Sequence, residues 1–244
     1  AYAVAMIPVA LAGWLVAYAV LAWIFRDALS DPAPALGAWP SAPEPLSIGA
    51  LVVLLTVAAA LCAYPVCAYY DLPLWPVAAT GAAVCIAVSL GAGHRPRALV
   101  GGVAWTIFPF LMGVFILAMA LEGVGVVAWL RSLYAASPAP VATIGVTSAV
   151  GSAVLNNHPM SVLNAFALDG TSDPGHTRAL AALVGGDLGP RLLPVGSLAS
   201  LLWYELLRKH QVEVKVTTFI RVGVLLTVPT LAVSLLVLWL VTGA

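Results

Sequence analysis

Apolar residues along this chain come in runs of roughly 20, the length of helix that crosses the hydrocarbon core of a bilayer. The first run covers 3–25, holds Trp14 and Trp23, and is closed by Arg26. A second covers 47–69 and ends in an aromatic interfacial turn, Tyr69-Tyr70-Asp71-Leu72-Pro73. A short third lies at 75–90, and a fourth at 103–121, where Pro109 predicts a kink. A last run covers 217–241, with Arg221 one turn inside it and long enough to snorkel back to the membrane face. Residues 27–46, with five prolines, predict a connector rather than a domain, and Glu122 and Arg131 flank another connector.

Two runs break this pattern. The stretch 140–168 is interrupted by Asn156-Asn157-His158-Pro159, and only about ten residues remain between Pro159 and Asp169, too few to span alone. It is either one span with a polar defect or a re-entrant hairpin with the Asn-Asn-His-Pro group at its tip. The stretch 179–207 contains GGDLGPRLLPVGS, from Gly185 to Ser197. An acid, a base, two prolines and four glycines at mid-depth do not suit a plain membrane helix. Pro190 and Pro194 remove N–H donors, and the carbonyls they free need partners that lipid does not offer. The sequence therefore predicts a helix broken near the bilayer centre, with its broken ends facing a polar site.

Composition agrees and narrows the class. The chain is 62% hydrophobic and 8% charged, with a mean hydropathy of +1.05, which excludes a soluble domain and gives an all-α polytopic membrane protein. Zero net charge and the lack of a basic tract argue against nucleic acid as a partner. Cys62, Cys67 and Cys85 lie in apolar runs without metal-ligand spacing and read as small packing residues. No metal set, cofactor motif or signal peptide is visible, and the apolar start without a methionine suggests a piece of a longer chain. Charge also chooses between the two readings of 140–168. With a hairpin, Arg26, Arg95, Arg97, Arg208, Lys209 and Lys215 share one side against Arg131 and Arg178, six against two. With a single span the split is four against four. The positive-inside bias favours the hairpin, entering from the outer face, with the C-terminus outside.

The candidate chemistry sits at the two interruptions. Asn156 and Asn157 carry amides that donate and accept; they serve either as caps at a turn or as substrate contacts. Asp187 is the carboxylate placed well inside a span, where a charge costs about 2.5–3.5 kcal/mol on insertion scales. It pairs with Arg191 at i, i+4 if the helix continues past Pro190; otherwise it binds a proton or a cation. Ser197, after Gly196, caps the second half-helix or offers donors to substrate. Pro159 and Pro194 are read as holding irregular backbone open. His158 is a structural hydrogen-bonding residue or a group that titrates near neutrality. An intramembrane aspartyl protease built on Asp71 and Asp187 is disfavoured, because Val184 stands where its motif needs glycine.

The runs VLNNHPMSVLNAFALDG (154–170), GGDLGPRLLPVGSLASLLWYELLRK (185–209) and TTFIRVGVLLTVPTLAVSLLVLWL (217–240) resemble the ArsB arsenite/antimonite efflux permeases of the ion transporter superfamily. The resemblance covers 100–244 well and 1–99 more loosely. It implies two inverted repeats, of which this chain carries 1–26 as the last helix of a missing N-terminal repeat, 27–46 as the connector and 47–244 as the second repeat. It implies a hairpin and a discontinuous transmembrane helix, and proton-coupled efflux of As(III) and Sb(III) across a bacterial inner membrane. A cytosolic arsenical pump ATPase is an implied optional partner. Asn156, Asn157, Asp187, Gly189, Pro194, Gly196 and Ser197 fall on the motif positions, while His158 stands where an apolar residue is expected. The rival readings are a sodium/proton antiporter or an anion carrier of the same superfamily, and a non-transporting half that needs a partner chain.

Overall fold

The computed structural model describes residues 2–30, 47–103, 105, 107–173 and 176–243. All regular elements among them are helical: α1 (Tyr2–Ile24), α2 (Arg26–Ser30), α3 (Ile48–Tyr69), α4 (Trp75–Gly91), α5 (Pro96–Gly101), α6 (Ile107–Gly123), α7 (Val126–Ala136), α8 (Pro140–Leu155), α9 (Asn157–Leu168), α10 (Thr177–Leu188), α11 (Leu198–Lys209) and α12 (Val216–Thr242). The connector expected at 27–46 lies outside the described residues from 31 onward; before that the chain forms α2. α1, α3 and α12 are long and apolar enough to cross a membrane, and α6 with α7 passes as one more span, bent by 68°. This is a multi-pass membrane protein.

The chain divides into two compact units, Ala1–Pro32 with Phe108–Ala244, and Ala33–Ile107. The smaller holds α3, α4 and α5. Ser47 caps α3 by accepting from the Ala50 N–H at 3.1 Å. α3 and α4 run antiparallel: Gly49 approaches Val88, and Gly81 approaches Thr56.

In the larger unit the usual burial order is reversed. Trp14, Tyr18, Phe115, Ile116 and Leu240 are exposed, while Ser148, Ser152, Asn164, Thr227, Thr230 and Ser234 are buried. Lipid solvates the large apolar side chains as well as a protein core does, so apolar burial gives the helices little reason to associate. Close approach of small residues and internal pairing of polar ones does. α8 and α10 meet on such a surface. A Cβ on Gly185 would run into the Gly145 carbonyl, and one on Gly189 into the Ala149 carbonyl. Only bare Cα positions permit this approach.

α8 and α9 form the hairpin. Asn164 Nδ2 donates to Ser148 Oγ at 2.9 Å, joining positions eight residues after and before Asn156. Tyr134 Oη on α7 donates to Asn164 Oδ1 at 2.7 Å, and all three side chains are buried. Arg131 donates to the Phe166 carbonyl at 2.8 Å and the Ala167 carbonyl at 3.4 Å, covering the free carbonyl end of α9. Asp173 accepts from the Arg178 and Ala179 N–H groups at 2.9 and 3.1 Å and caps α10. A groove at this end is lined by residues of the hairpin mouth (Pro138–Ala142), of the start of α10 and of the end of α12 (Trp239, Thr242). Both hairpin ends and the last residues of α12 therefore share one end of the unit.

Two expectations are corrected. The segment from Glu122 to Arg131 is not a connector: only Val124 and Gly125 interrupt the helices, and α7 follows. Gly125 makes the 68° bend with φ +88°. The buried spacing Val127, Leu130, Tyr134 was the available sign of a helix there. Pro109 makes no kink, because α6 starts at Ile107 and a proline in the first turn displaces no intrahelical hydrogen bond.

Candidate functional site

Asn156 turns the hairpin. Its backbone, at φ 87° and ψ 151°, ends α8 and starts α9. Its side-chain oxygen accepts from the His158 N–H at 3.4 Å and lies 3.3 Å from His158 Nδ1. Its Nδ2 donates to the Val195 carbonyl at 3.0 Å. That carbonyl belongs to the broken stretch, so one amide caps α9 and ties the hairpin tip to the break. Asn157 is half-buried beside it, with its side-chain oxygen buried and unpartnered. His158 is exposed. Pro159 does not hold irregular backbone open: it is buried in the first turn of α9, where proline fits a helix.

The break runs from Gly189 to Ser197. α10 stops at Leu188, and two 3-10 turns follow, Gly189–Arg191 and Pro194–Gly196. Proline disfavours helical backbone in the residue before it, and Leu193, before Pro194, is extended at φ −133° and ψ 143°. The Leu192 N–H returns to the Gly189 carbonyl at 2.9 Å, and the Gly196 N–H to the Leu193 carbonyl at 3.0 Å. Ser197 caps α11: its Oγ accepts from the Ser200 N–H at 3.0 Å and lies 2.9 Å from Ser200 Oγ.

Small residues bring break and hairpin together. A Cβ on Gly196 would stand 2.6 Å from Pro190 Cα and 3.2 Å from the Ser152 carbonyl. One on Gly186 would lie 3.8 Å from Ser152 Oγ. On the other side, a Cβ on Gly223 of α12 would strike the Arg191 carbonyl. Thus Asn156, Ser152, Gly186, Gly189, Pro190 and Gly196 share one seam, with Asn157 and Pro194 next to it along the chain.

Asp187 and Arg191 are both exposed on this chain. The described residues form two ion pairs, Arg26–Asp27 and Lys209–Glu205, and Asp187 with Arg191 is not among them. The helix ends between them, so a spacing of four no longer puts both on one helical face. Asp187 lies one turn beyond Leu183, which lines a groove of about 400 Å³ between α9 and α10. Ser161, Asn164, Asp169, His176 and Ala179 also line it.

Sequence reading missed Ser152, which is fully buried one turn before Asn156 with its hydroxyl unpartnered. Its sign was the pair Ser148 and Ser152, four apart on the helix that leads into the asparagines. Thr227, likewise buried and unpartnered, was missed too.

A family model described as ArsB, arsenical pump membrane protein, matches residues 49–242. The chain belongs to the ArsB family. It is 29% identical to an arsenical pump membrane protein of Escherichia coli over 96% of this chain and 57% of that protein. It is 28% identical to one of Yersinia enterocolitica with the same coverage. The chain thus spans about 57% of the length of the curated relatives it matches. No solved structure matches.

Proposed function

We propose that this chain is part of a membrane carrier that exports As(III) and Sb(III) from a bacterial cytoplasm, coupled to protons. The observation that carries the reading is the seam itself: the Asn156 amide bonds the hairpin tip to the Val195 carbonyl of the broken helix. Crossed hairpins and broken helices at mid-membrane are where secondary carriers place substrate. The arsenical substrate is supported by membership of the ArsB family and by relatives that are arsenical pump membrane proteins. The chemistry suits it. Near neutral pH arsenite is an uncharged trihydroxide, which calls for hydrogen-bonding amides, hydroxyls and helix-end backbone rather than a counter-charge.

In this reading Asn156, Asn157, Gly196 and Ser197 form the substrate region, and Asp187 carries the coupling proton. Gly189, Pro190, Arg191 and Pro194 shape the backbone around them. Exposed Asp187 and Arg191 favour a second element in the proposal: a further half, built as an inverted repeat, closes this face and completes the site. The end bearing Arg208, Lys209 and Lys215 is cytoplasmic and is where an arsenical pump ATPase would dock; the C-terminus is outside.

The test is As(III) accumulation in arsenite-sensitive cells that express this chain alone, with a complementary N-terminal half, or with Asp187→Asn. Lower accumulation with both halves, lost in Asp187→Asn at equal membrane abundance, is the expected result. Unchanged accumulation in every arrangement, with both chains in the membrane, would refute the arsenical reading and favour an antiporter or an inert half.

A further inference from the structure

Four polar side chains lie at the hairpin tip and the break, and they fall into two classes. Asn156 and Ser197 are engaged. The Asn156 oxygen accepts from His158 and its nitrogen donates to Val195, while the Ser197 hydroxyl accepts from the Ser200 N–H. Each therefore holds the local fold. Ser152 and Asn157 are not engaged. The Ser152 hydroxyl and the Asn157 side-chain oxygen are buried without a hydrogen-bond partner, and Ser152 is 0% exposed. Buried polar atoms in native proteins are nearly always paired, so an unpaired one calls for an explanation. Both lie within about one helical turn of the tip. Opposite the Ser152 hydroxyl stands Gly186, where an added Cβ would lie 3.8 Å from it, and the Ser152 carbonyl is approached by Gly196.

We infer that, within this substrate region, Ser152 and Asn157 are the side chains that hold the transported solute, while Asn156 and Ser197 contribute by building the seam around it. This deepens the arsenical reading and rests on it. The ligand class follows from the atoms. The Asn157 oxygen only accepts, so the solute brings an O–H; the Ser152 hydroxyl both donates and accepts. A small neutral polyhydroxide such as arsenous acid meets both: one of its O–H groups donates to the Asn157 oxygen and another of its oxygens accepts from Ser152. An alkali cation is the competing occupant, since both groups offer oxygen. The solute reaches the pair where the tip separates from the break.

The experiment separates binding from structure. The chain, with whatever flanking sequence its gene supplies, is expressed in cells, and As(III) uptake is measured in everted membrane vesicles. Ser152→Ala removes an unpaired hydroxyl, so Tm stays level or rises, while KM for As(III) increases about 3–10-fold, the loss of one hydrogen bond. Asn157→Ala raises KM comparably. Ser152→Cys, which keeps the shape and weakens the hydrogen bond, gives an intermediate KM with unchanged Tm. Asn156→Ala and Ser197→Ala lower Tm. A Tm loss in Ser152→Ala equal to that of Asn156→Ala, or an unchanged KM, overturns the inference. So does uptake in Ser152→Ala that has become limited by sodium when the wild type is not. If the wild type itself moves no As(III), the arsenical reading fails and the assignment of this ligand falls with it. If the wild type transports and Ser152→Ala matches it, only the inference fails.

Discussion

Gly185 and Gly186 are neighbours on α10 with opposite tolerance for a single methyl group, and this contrast tests the packing that positions the seam. A Cβ at Gly185 would overlap the Gly145 carbonyl and stand 2.8 Å from its carbon and 2.9 Å from Ser148 Cβ. Ordinary carbon contacts are about 3.5–4.0 Å, so α8 and α10 must part by roughly 0.7–1 Å. The obstacle is backbone and has no rotamer to change. Overpacking of this kind costs about 1–3 kcal/mol. The shift also strains the bond from Asn156 to Val195, 3.0 Å long, which adds up to about 1 kcal/mol. Alanine returns about 1 kcal/mol in helix propensity over glycine. The net for Gly185→Ala is a loss of up to about 3 kcal/mol, as much as roughly 10 °C in Tm for a chain of this size. At Gly186 the nearest atom to a Cβ is Ser152 Oγ at 3.8 Å, an ordinary contact, so Gly186→Ala gains the propensity term and keeps or raises Tm. Thermal melting in detergent, read by loss of the monodisperse peak in size-exclusion chromatography, compares the two. Equal Tm values for the two variants would refute the close approach of α8 and α10.

Two further outcomes follow from the same unit. Tyr134→Phe leaves the buried Asn164 oxygen without its donor and is expected to cost about 1–3 kcal/mol, seen as a lower Tm than wild type; an unchanged Tm would remove the network from the account. With Cys62, Cys67 and Cys85 replaced by serine, Ser172→Cys is expected to react with an impermeant maleimide in intact cells, and Gln211→Cys only in everted vesicles. Labelling of both from one side would overturn the assignment of the two ends of the unit to opposite faces of the membrane.

The hairpin and the broken helix were legible because both depend on residues that a membrane helix rejects. Asparagines at a turn and prolines at mid-span leave backbone groups that need partners, and the lysine and arginine counts favour a chain that turns back over one that crosses. What stayed hidden depends on tertiary contact. Ser197 and Asn156 look alike in sequence as polar groups at a helix end, and Ser152 looks like any small residue in an apolar run. Only the fold shows which hydroxyl is engaged and which is not. Helix α7 was hidden for a different reason: the charges Glu122 and Arg131 resemble the borders of a loop, yet Arg131 lies within the helix and donates to the carbonyl end of α9.

The exposure of Asp187 has a consequence for what covers this chain. Lipid tolerates the exposed Leu240, Phe115 and Trp14, but it does not tolerate a carboxylate or a guanidinium at mid-depth. Around Asp187 the surface is not apolar. Arg191 follows it, and Ser161 and Leu183 line the groove that leads toward it from Asp169 and His176 at the other end of α9 and α10. Such a face borders protein or water when the unit stands in a bilayer. The seam, closed where the Asn156 amide holds the tip to Val195, leaves both charged side chains uncovered.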